Sequence, residues 1–218
     1  MFKNLLLALV MLSSAVNMNA QENSGFLQFA NNKRIPAAIE KNVLTALSFF
    51  PELINSKINF KFKKKIKSSI MQAQPVFGTL LWQRKKRRYR INISRQFKLK
   101  HAEMAILQIP DTVMIGWIGH ELGHILDYES KTNGGMVSLG YRYIFHDKFV
   151  RQAEMMADSL AVERGMGHYI VATKRFILDH ADLPQAYKDK ISRLYLSPDV
   201  IMEQVKRLEE KATKEKQQ

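Results

Sequence analysis

The chain has 218 residues, 46% of them hydrophobic and 25% charged, which is a globular composition with enough length for a real core and excludes a disordered chain. It contains no cysteine, which excludes a disulfide framework, a thiol nucleophile and any thiolate metal ligand. The formal net charge of +14 is compatible with nucleic acid, an anionic membrane or an acidic polymer as partner, and equally with a solvated basic face.

The first twenty residues, MFKNLLLALVMLSSAVNMNA, have a basic start at Lys3, an apolar run from Leu5 to Leu12 and a small, polar end at Ala20. This is the layout of a signal peptide covering residues 1–20, with cleavage expected after Ala20. The run is shorter than the roughly 20 apolar residues that cross a bilayer, and no later segment is long enough either. The expectation is an exported, soluble mature chain, periplasmic or secreted.

Pro36 then opens a helical pattern, Ile39, Val43, Ala46, Leu47 and Phe50, that Pro51 stops. Ile58, Phe60 and Phe62 alternate with Asn59, Lys61 and Lys63, the period of a half-buried strand. Pro75–Gln83 reads as a second strand and Arg88–Ser94 as a third, with the basic RKKR between them as an exposed hairpin turn. Met104–Ile109 is a further short extended piece. The cationic excess is concentrated in Lys57–Lys67 and Arg84–Arg90, which are read either as a solvated basic face or as contacts to an anionic surface.

From Asp111 the period becomes helical. Asp111 or Thr112 is the expected cap, and Val113, Trp117, Ile118, Leu122, Ile125 and Leu126 form the apolar side. The loop Ser130–Gly135 ends this helix. Met136–His146 is helical or looped, and a strong helix runs from about Lys148 to Arg164, closed by Gly165. Three further helical patterns follow, the last opened by Ser197-Pro198-Asp199.

The central helix carries GHELGH, Gly119–His124. Residues four apart on a helix differ by about 40° in azimuth, so His120 and His124 project side by side and Glu121 lies next to them. Two imidazoles are an incomplete metal site, because a catalytic zinc keeps three protein ligands and one open position. The metzincin continuation fails here: Asp127 stands where its glycine would be and Ser130 where its third histidine would be. The Lys148–Arg164 helix contains RQAEMMADSLA, in which Glu154 and Asp158 share one face among Ala153, Met155, Ala157, Leu160 and Ala161. A carboxylate pair on an otherwise apolar helix needs a cation or donors to be buried, which a metal ion and a ligating histidine would supply. Gly116, Gly119 and Gly123 each weaken the central helix by roughly 1 kcal/mol relative to alanine. They fall on nearly one face, so close approach of another element is the expected compensation.

HExxH followed thirty residues after His124 by Glu-x-x-Ala-Asp resembles the gluzincin metallopeptidases. It looks most like the branch of CaaX-prenyl proteases and heat-shock membrane proteases, whose second motif Arg151, Glu154, Ala157, Asp158 and Ala161 match. Those relatives are multi-pass membrane proteins and this chain has no such helices, so it is similar to the small soluble cores called minigluzincins. The resemblance covers Trp117–Asp127 and Arg151–Ala161.

It implies an α+β, zincin-like fold over residues 21–218. An N-terminal helix, a small antiparallel or mixed sheet and the HExxH helix would occupy about 21–130, and a helical lower part about 131–218. It also implies one Zn2+ held by His120, His124 and Glu154, Glu121 as the general base, and Asp158 as the acceptor for His120. For the oxyanion, Tyr141, Tyr143, His146, His168 and Tyr169 are candidates, of which His168 and Tyr143 are put forward. The substrate would be a peptide or unfolded protein added to an edge strand, with Arg88–Ser94 or Met104–Ile109 as that edge; a basic edge would favour acidic peptides. Two other readings stay open: a zinc-binding but latent or non-proteolytic peptide binder, and a cationic surface-binding protein whose histidines are incidental. Zinc content separates the last from the others, and turnover separates the first two.

Overall fold

The structure, a computed structural model, describes residues 26–66, 69–79, 86–180 and 182–216. The expected signal peptide lies outside the described residues. The fold is α+β, with a helical C-terminal half.

Helix α1 spans Glu40–Ser48, entered through a 3-10 turn at Ala37–Ile39, and Pro51 begins the next 3-10 turn. Its apolar face, Val43, Ala46 and Leu47, is buried. Among the described residues, strand β1 (Lys33–Arg34) precedes this helix and five follow it: β2 (Lys57–Lys63), β3 (Met71–Pro75), β4 (Arg88–Ser94), β5 (Gln96–Lys98) and β6 (Glu103–Ala105). The main sheet has the order β1-β2-β4-β3, with β1, β2 and β4 parallel and β3 antiparallel; β5 and β6 form a separate antiparallel pair.

Three expectations need correction. The second strand is Met71–Pro75 rather than Pro75–Gln83; Phe77–Thr79 is a 3-10 turn, and residues 80–83 lie outside the described residues. The apolar run after Pro75 suggested a strand, but the pairing that wins is Met71 opposite Ile93 through Pro75 opposite Tyr89. Arg88–Ser94 is not an edge, because β2 and β3 flank it, and its inward residues Tyr89, Ile91 and Ile93 are almost wholly buried. Met104–Ile109 gives only the short strand β6 followed by a 3-10 turn.

The edge beside the central helix is β3. The carbonyl of Ile70 and the N–H of Val76 bond to β4, so by alternation the polar groups of Met71 and Ala73 turn to the open edge. Pro75 is tolerated there because the position of its missing N–H faces away from the ladder.

The basic turn also departs from expectation. Residues 84–85 lie outside the described residues, but Arg87 is only 2% exposed. Its Nη1 donates to the carbonyls of Tyr128 (3.1 Å) and Lys131 (2.9 Å), and its Nη2 donates to Asn133 Oδ1 at 2.5 Å. The last carbonyls of a helix need donors from outside it, and Arg87 supplies them at the C-terminal end of the helix that carries GHELGH, at Tyr128 and at the following Lys131.

The helices are α2 (Asp111–Ser130), α3 (Asn133–Phe145), α4 (Asp147–Ala161), α5 (Gly167–Asp179), α6 (Gln185–Leu194) and α7 (Pro198–Glu215). Asp111 lies inside the first turn of α2 rather than capping it, and its carboxylate accepts from Asn42 at 3.0 Å. The loop expected at Ser130–Gly135 shrinks to two residues, since Thr132 caps α3 by accepting from the N–H of Gly135. Gly165 has φ 87°, a backbone conformation that favours glycine, and it lies in the π-helical link from α4 to α5. Ser197 caps α7 as expected.

Helix α2 is the central element, packed by α1 and β3 and by α4 and α5. The glycine face explains how the helices come so close. A Cβ on Gly123 would lie 2.5 Å from the carbonyl oxygen of Ala157 on α4, and one on Gly116 would lie 2.3 Å from that of Tyr169 on α5. Gly123→Ala is therefore expected to destabilise the protein by about 1–3 kcal/mol, although alanine is the better helix former. The denaturant midpoint checks this, and an unchanged or raised midpoint would refute the close-packing account.

Candidate metal centre

Helices α2 and α4 cross where both lack bulk, at Gly123 and Ala157, and this brings the two motifs face to face. One ligand atom each from His120, His124 and Glu154 lies within 4.8 Å of the others, and all three residues are buried. Glu154 Oε2 is 3.0 Å from His120 Nε2 and 3.2 Å from His124 Nε2. This group could hold a metal ion. The donor set, two imidazole nitrogens and one carboxylate oxygen converging from two helices, fits that role.

The surrounding contacts orient it. Asp158, with 0% exposure, is 2.8 Å from His120 Nδ1 through Oδ1. The same oxygen accepts from Lys174 Nζ at 2.9 Å, and Oδ2 accepts from the N–H of Leu196 at 3.2 Å. A buried carboxylate with three donors is stable as an anion. Burial alone would raise its pKa, but Lys174 and His120 hold it below the usual value. Asp158 is thus both the support of His120 and the partner of a buried lysine.

Glu121 is not part of the triad. Its Oε2 accepts from the Ala73 N–H on β3 at 2.5 Å, which ties the glutamate to the open sheet edge. Burial pushes its carboxyl pKa up, against the opposing pull of His120 and His124. For Glu154 burial acts in the same direction but loses to His124 and the two imidazole hydrogen bonds, leaving it well below the ordinary range.

Of the oxyanion candidates, the structure brings in Tyr143 and leaves out His168. Tyr143 OH donates to Glu154 Oε1 at 2.6 Å. Burial and the Glu154 charge raise its pKa, so the phenol stays protonated. His168 is exposed on α5 and its ring lies against Tyr169. It is the second residue of α5, after the link Val162–Met166, and that position is turned outward.

Four contributors were not read from the sequence. Lys174 sits between Ile170 and Ile177, and a lysine inside an apolar stripe is a signal that could have been seen. Tyr195 lies 5.4 Å from the His120 ring, and Tyr187 feels the Glu121 and Glu154 charges after burial, so both border the centre. The Ala73 N–H carries no sequence signal at all.

Both ring nitrogens of His120 face carboxylates. Burial disfavours the charged ring, but Asp158 and Glu154 more than offset this, and the pKa rises from 6.5 to about 10. The raised value belongs to the folded state, so this stabilisation is complete below pH 6.5 and is lost as pH rises through about 10. Metal-free protein is therefore expected to lose thermal stability between about pH 6.5 and 10, whereas metal-loaded protein, with no proton on that nitrogen, escapes the loss. Melting curves with and without chelator across this range check it.

No protein-family model, curated protein or solved structure matches the chain. The centre is therefore argued from its own geometry.

Proposed function

We propose that the protein is an exported zinc endopeptidase of the minigluzincin type. The observation that carries this reading is the convergence of His120, His124 and Glu154 with Glu121 beside them and outside the ligand set. Bonds of about 2.0–2.1 Å around a tetrahedral zinc place ligand atoms about 3.3 Å apart. The distances of 3.0 and 3.2 Å at Glu154 need only tenths of an ångström of adjustment.

Bound zinc supplies a Lewis acid that lowers the pKa of a water to about 7 and polarises the scissile carbonyl. The chain's own residues do the rest. Asp158 accepts the Nδ1 proton of His120, which leaves Nε2 free to ligate. Glu121 takes the proton of the attacking water and delivers it to the leaving amine as the C–N bond breaks. A carboxyl whose pKa burial raises holds the proton more readily than an exposed glutamate, which suits its uptake from water. The substrate extends along β3, where the N–H and carbonyl of Met71 and the carbonyl of Ala73 face the open edge, the Ala73 N–H being held by Glu121. This replaces the edges expected from sequence. A cleft of about 570 Å³ lies at Ile70, just before β3, and its lining includes Phe97, Leu183, Tyr187 and the lysines Lys64, Lys65 and Lys98. Tyr143, held neutral, is the donor for the oxyanion once its O–H turns from Glu154 Oε1 to the substrate.

The test combines metal analysis with turnover of an unfolded protein. One zinc per chain together with chelator-sensitive hydrolysis is expected. Stoichiometric zinc without hydrolysis would favour the latent, peptide-binding reading, and absence of zinc would sink both. Export rests on the signal layout in residues 1–20; among the described residues no helix is long and apolar enough to cross a membrane.

A further inference from the structure

The strand residues Lys57 and Arg88–Arg90 of the two basic segments are not among the metal-centre residues, and the sheet places them together. Because β2 and β4 are parallel neighbours, Lys57 lies opposite Arg88, and Arg34, Asn59 and Arg90 fall in one row across β1, β2 and β4. Alternation puts these side chains on one face. The opposite face carries Ile58, Tyr89 and Ile91 into the core, where the Tyr89 ring stacks on Tyr128 of α2 at 6.4 Å. The basic row is therefore on the side of the sheet turned away from α2 and the metal centre.

A groove of about 490 Å³ runs across these strands, with Arg34, Lys57, Asn59, Arg88 and Arg90 in its lining beside Lys33, Val76 and the backbone-adjacent Ile58 and Tyr89. No acidic residue lines it. Among the described residues, no ion pair involves Arg34, Lys57, Arg88 or Arg90. Val76 lines the groove, and the next residue, Phe77, is 87% exposed. Its turn is fixed to the basic strand, since the Val76 N–H donates to the Arg88 carbonyl at 2.8 Å and the Arg88 N–H donates to Thr79 Oγ1 at 3.1 Å.

We infer that this sheet face docks the protein on an anionic phospholipid surface, with the groove taking phosphate headgroups and Phe77 entering the interface. Unpaired cations alone would suit any polyanion. A solvent-facing aromatic ring on a turn anchored to the basic strand selects the bilayer over a soluble polyanion, because in the bilayer the ring leaves water. Docking in this way leaves the α2 side and the β3 edge open. The inference does not depend on the peptidase reading.

The experiment is co-sedimentation of the full chain with phosphatidylcholine vesicles, with and without phosphatidylglycerol. Binding only to the anionic vesicles, weakened by salt, is expected. Each cation near such a surface is worth about fivefold in affinity, so Arg34→Gln/Lys57→Gln/Arg88→Gln/Arg90→Gln should bind at least about a hundredfold more weakly. Phe77→Ser should weaken vesicle binding about tenfold and leave binding to soluble polyphosphate unchanged. Circular dichroism and metal content unchanged in both variants confirm that folding is intact. Failure to bind anionic vesicles overturns the inference. So does equal loss of vesicle and polyphosphate binding in Phe77→Ser, or binding to duplex DNA or polyphosphate as tight as to vesicles with no effect of Phe77→Ser.

Discussion

Glu121→Gln is expected to keep one zinc per chain and to lose peptide hydrolysis by about 10²–10⁴-fold in kcat. The amide keeps the size of the side chain and still accepts from the Ala73 N–H, so the bond to β3 survives. It cannot take up a proton, so neither the activation of water nor the protonation of the leaving amine is assisted. The three ligand residues are untouched, which predicts unchanged metal content. Steady-state hydrolysis of an unfolded protein, measured beside metal analysis of the same sample, checks both halves. Residual activity near the wild-type level would remove Glu121 as the base, and loss of zinc would mean that it supports the metal instead.

Glu154→Ala is the second large effect, and here the metal itself is expected to go. Glu154 is the only ligand residue on α4, and it contacts both imidazoles and Tyr143. Its loss leaves two histidines on one helix, which bind an ion weakly. Asp158→Asn should be milder, about 10–100-fold in zinc affinity, because it removes the support of His120 without removing a ligand. The order is the informative result: Glu154→Ala weaker than Asp158→Asn, and both weaker than wild type. Competition with a chromophoric chelator measures all three. Full zinc retention in Glu154→Ala would show that the third ligand lies elsewhere. Asp158→Asn also leaves Lys174 without its carboxylate partner, so its melting temperature should be read beside its affinity.

Much of the centre was legible in advance because its residues are arranged by helical spacing. His120 and His124 share a face by the same geometry that puts Glu154 and Asp158 on one face, and the three glycines on α2 marked a close approach. The structure places Ala157 of α4 and Tyr169 of α5 against that glycine face. The oxyanion candidates were less legible. Tyr143 and His168 looked alike in sequence, and only the turn of α3 over Glu154 and the restart of α5 after Gly165 distinguish them. The edge strand was misread for a related reason. Met71–Pro75 is short and rich in glutamine, with none of the β-branched residues that announce a strand, yet it pairs with β4 over five residues.

The sequence by itself determined the elements whose signal is periodic: the α+β class, the long central helix, the helical C-terminal half and the residue types able to bind a metal. These follow from local backbone geometry, which repeats every 3.6 or 2 residues and so is written along the chain. The tertiary structure alone decided which strand is the open edge, which basic residue is buried and which form a continuous face. It also decided that Lys174 and the Leu196 N–H complete the partners of Asp158. Each of those depends on pairing between segments tens of residues apart, such as Lys57 with Arg88, Arg87 with Tyr128 and Ala73 with Glu121. Such pairings are set by how buried surfaces fit and by which polar groups must find partners once water is excluded, and no local period records that.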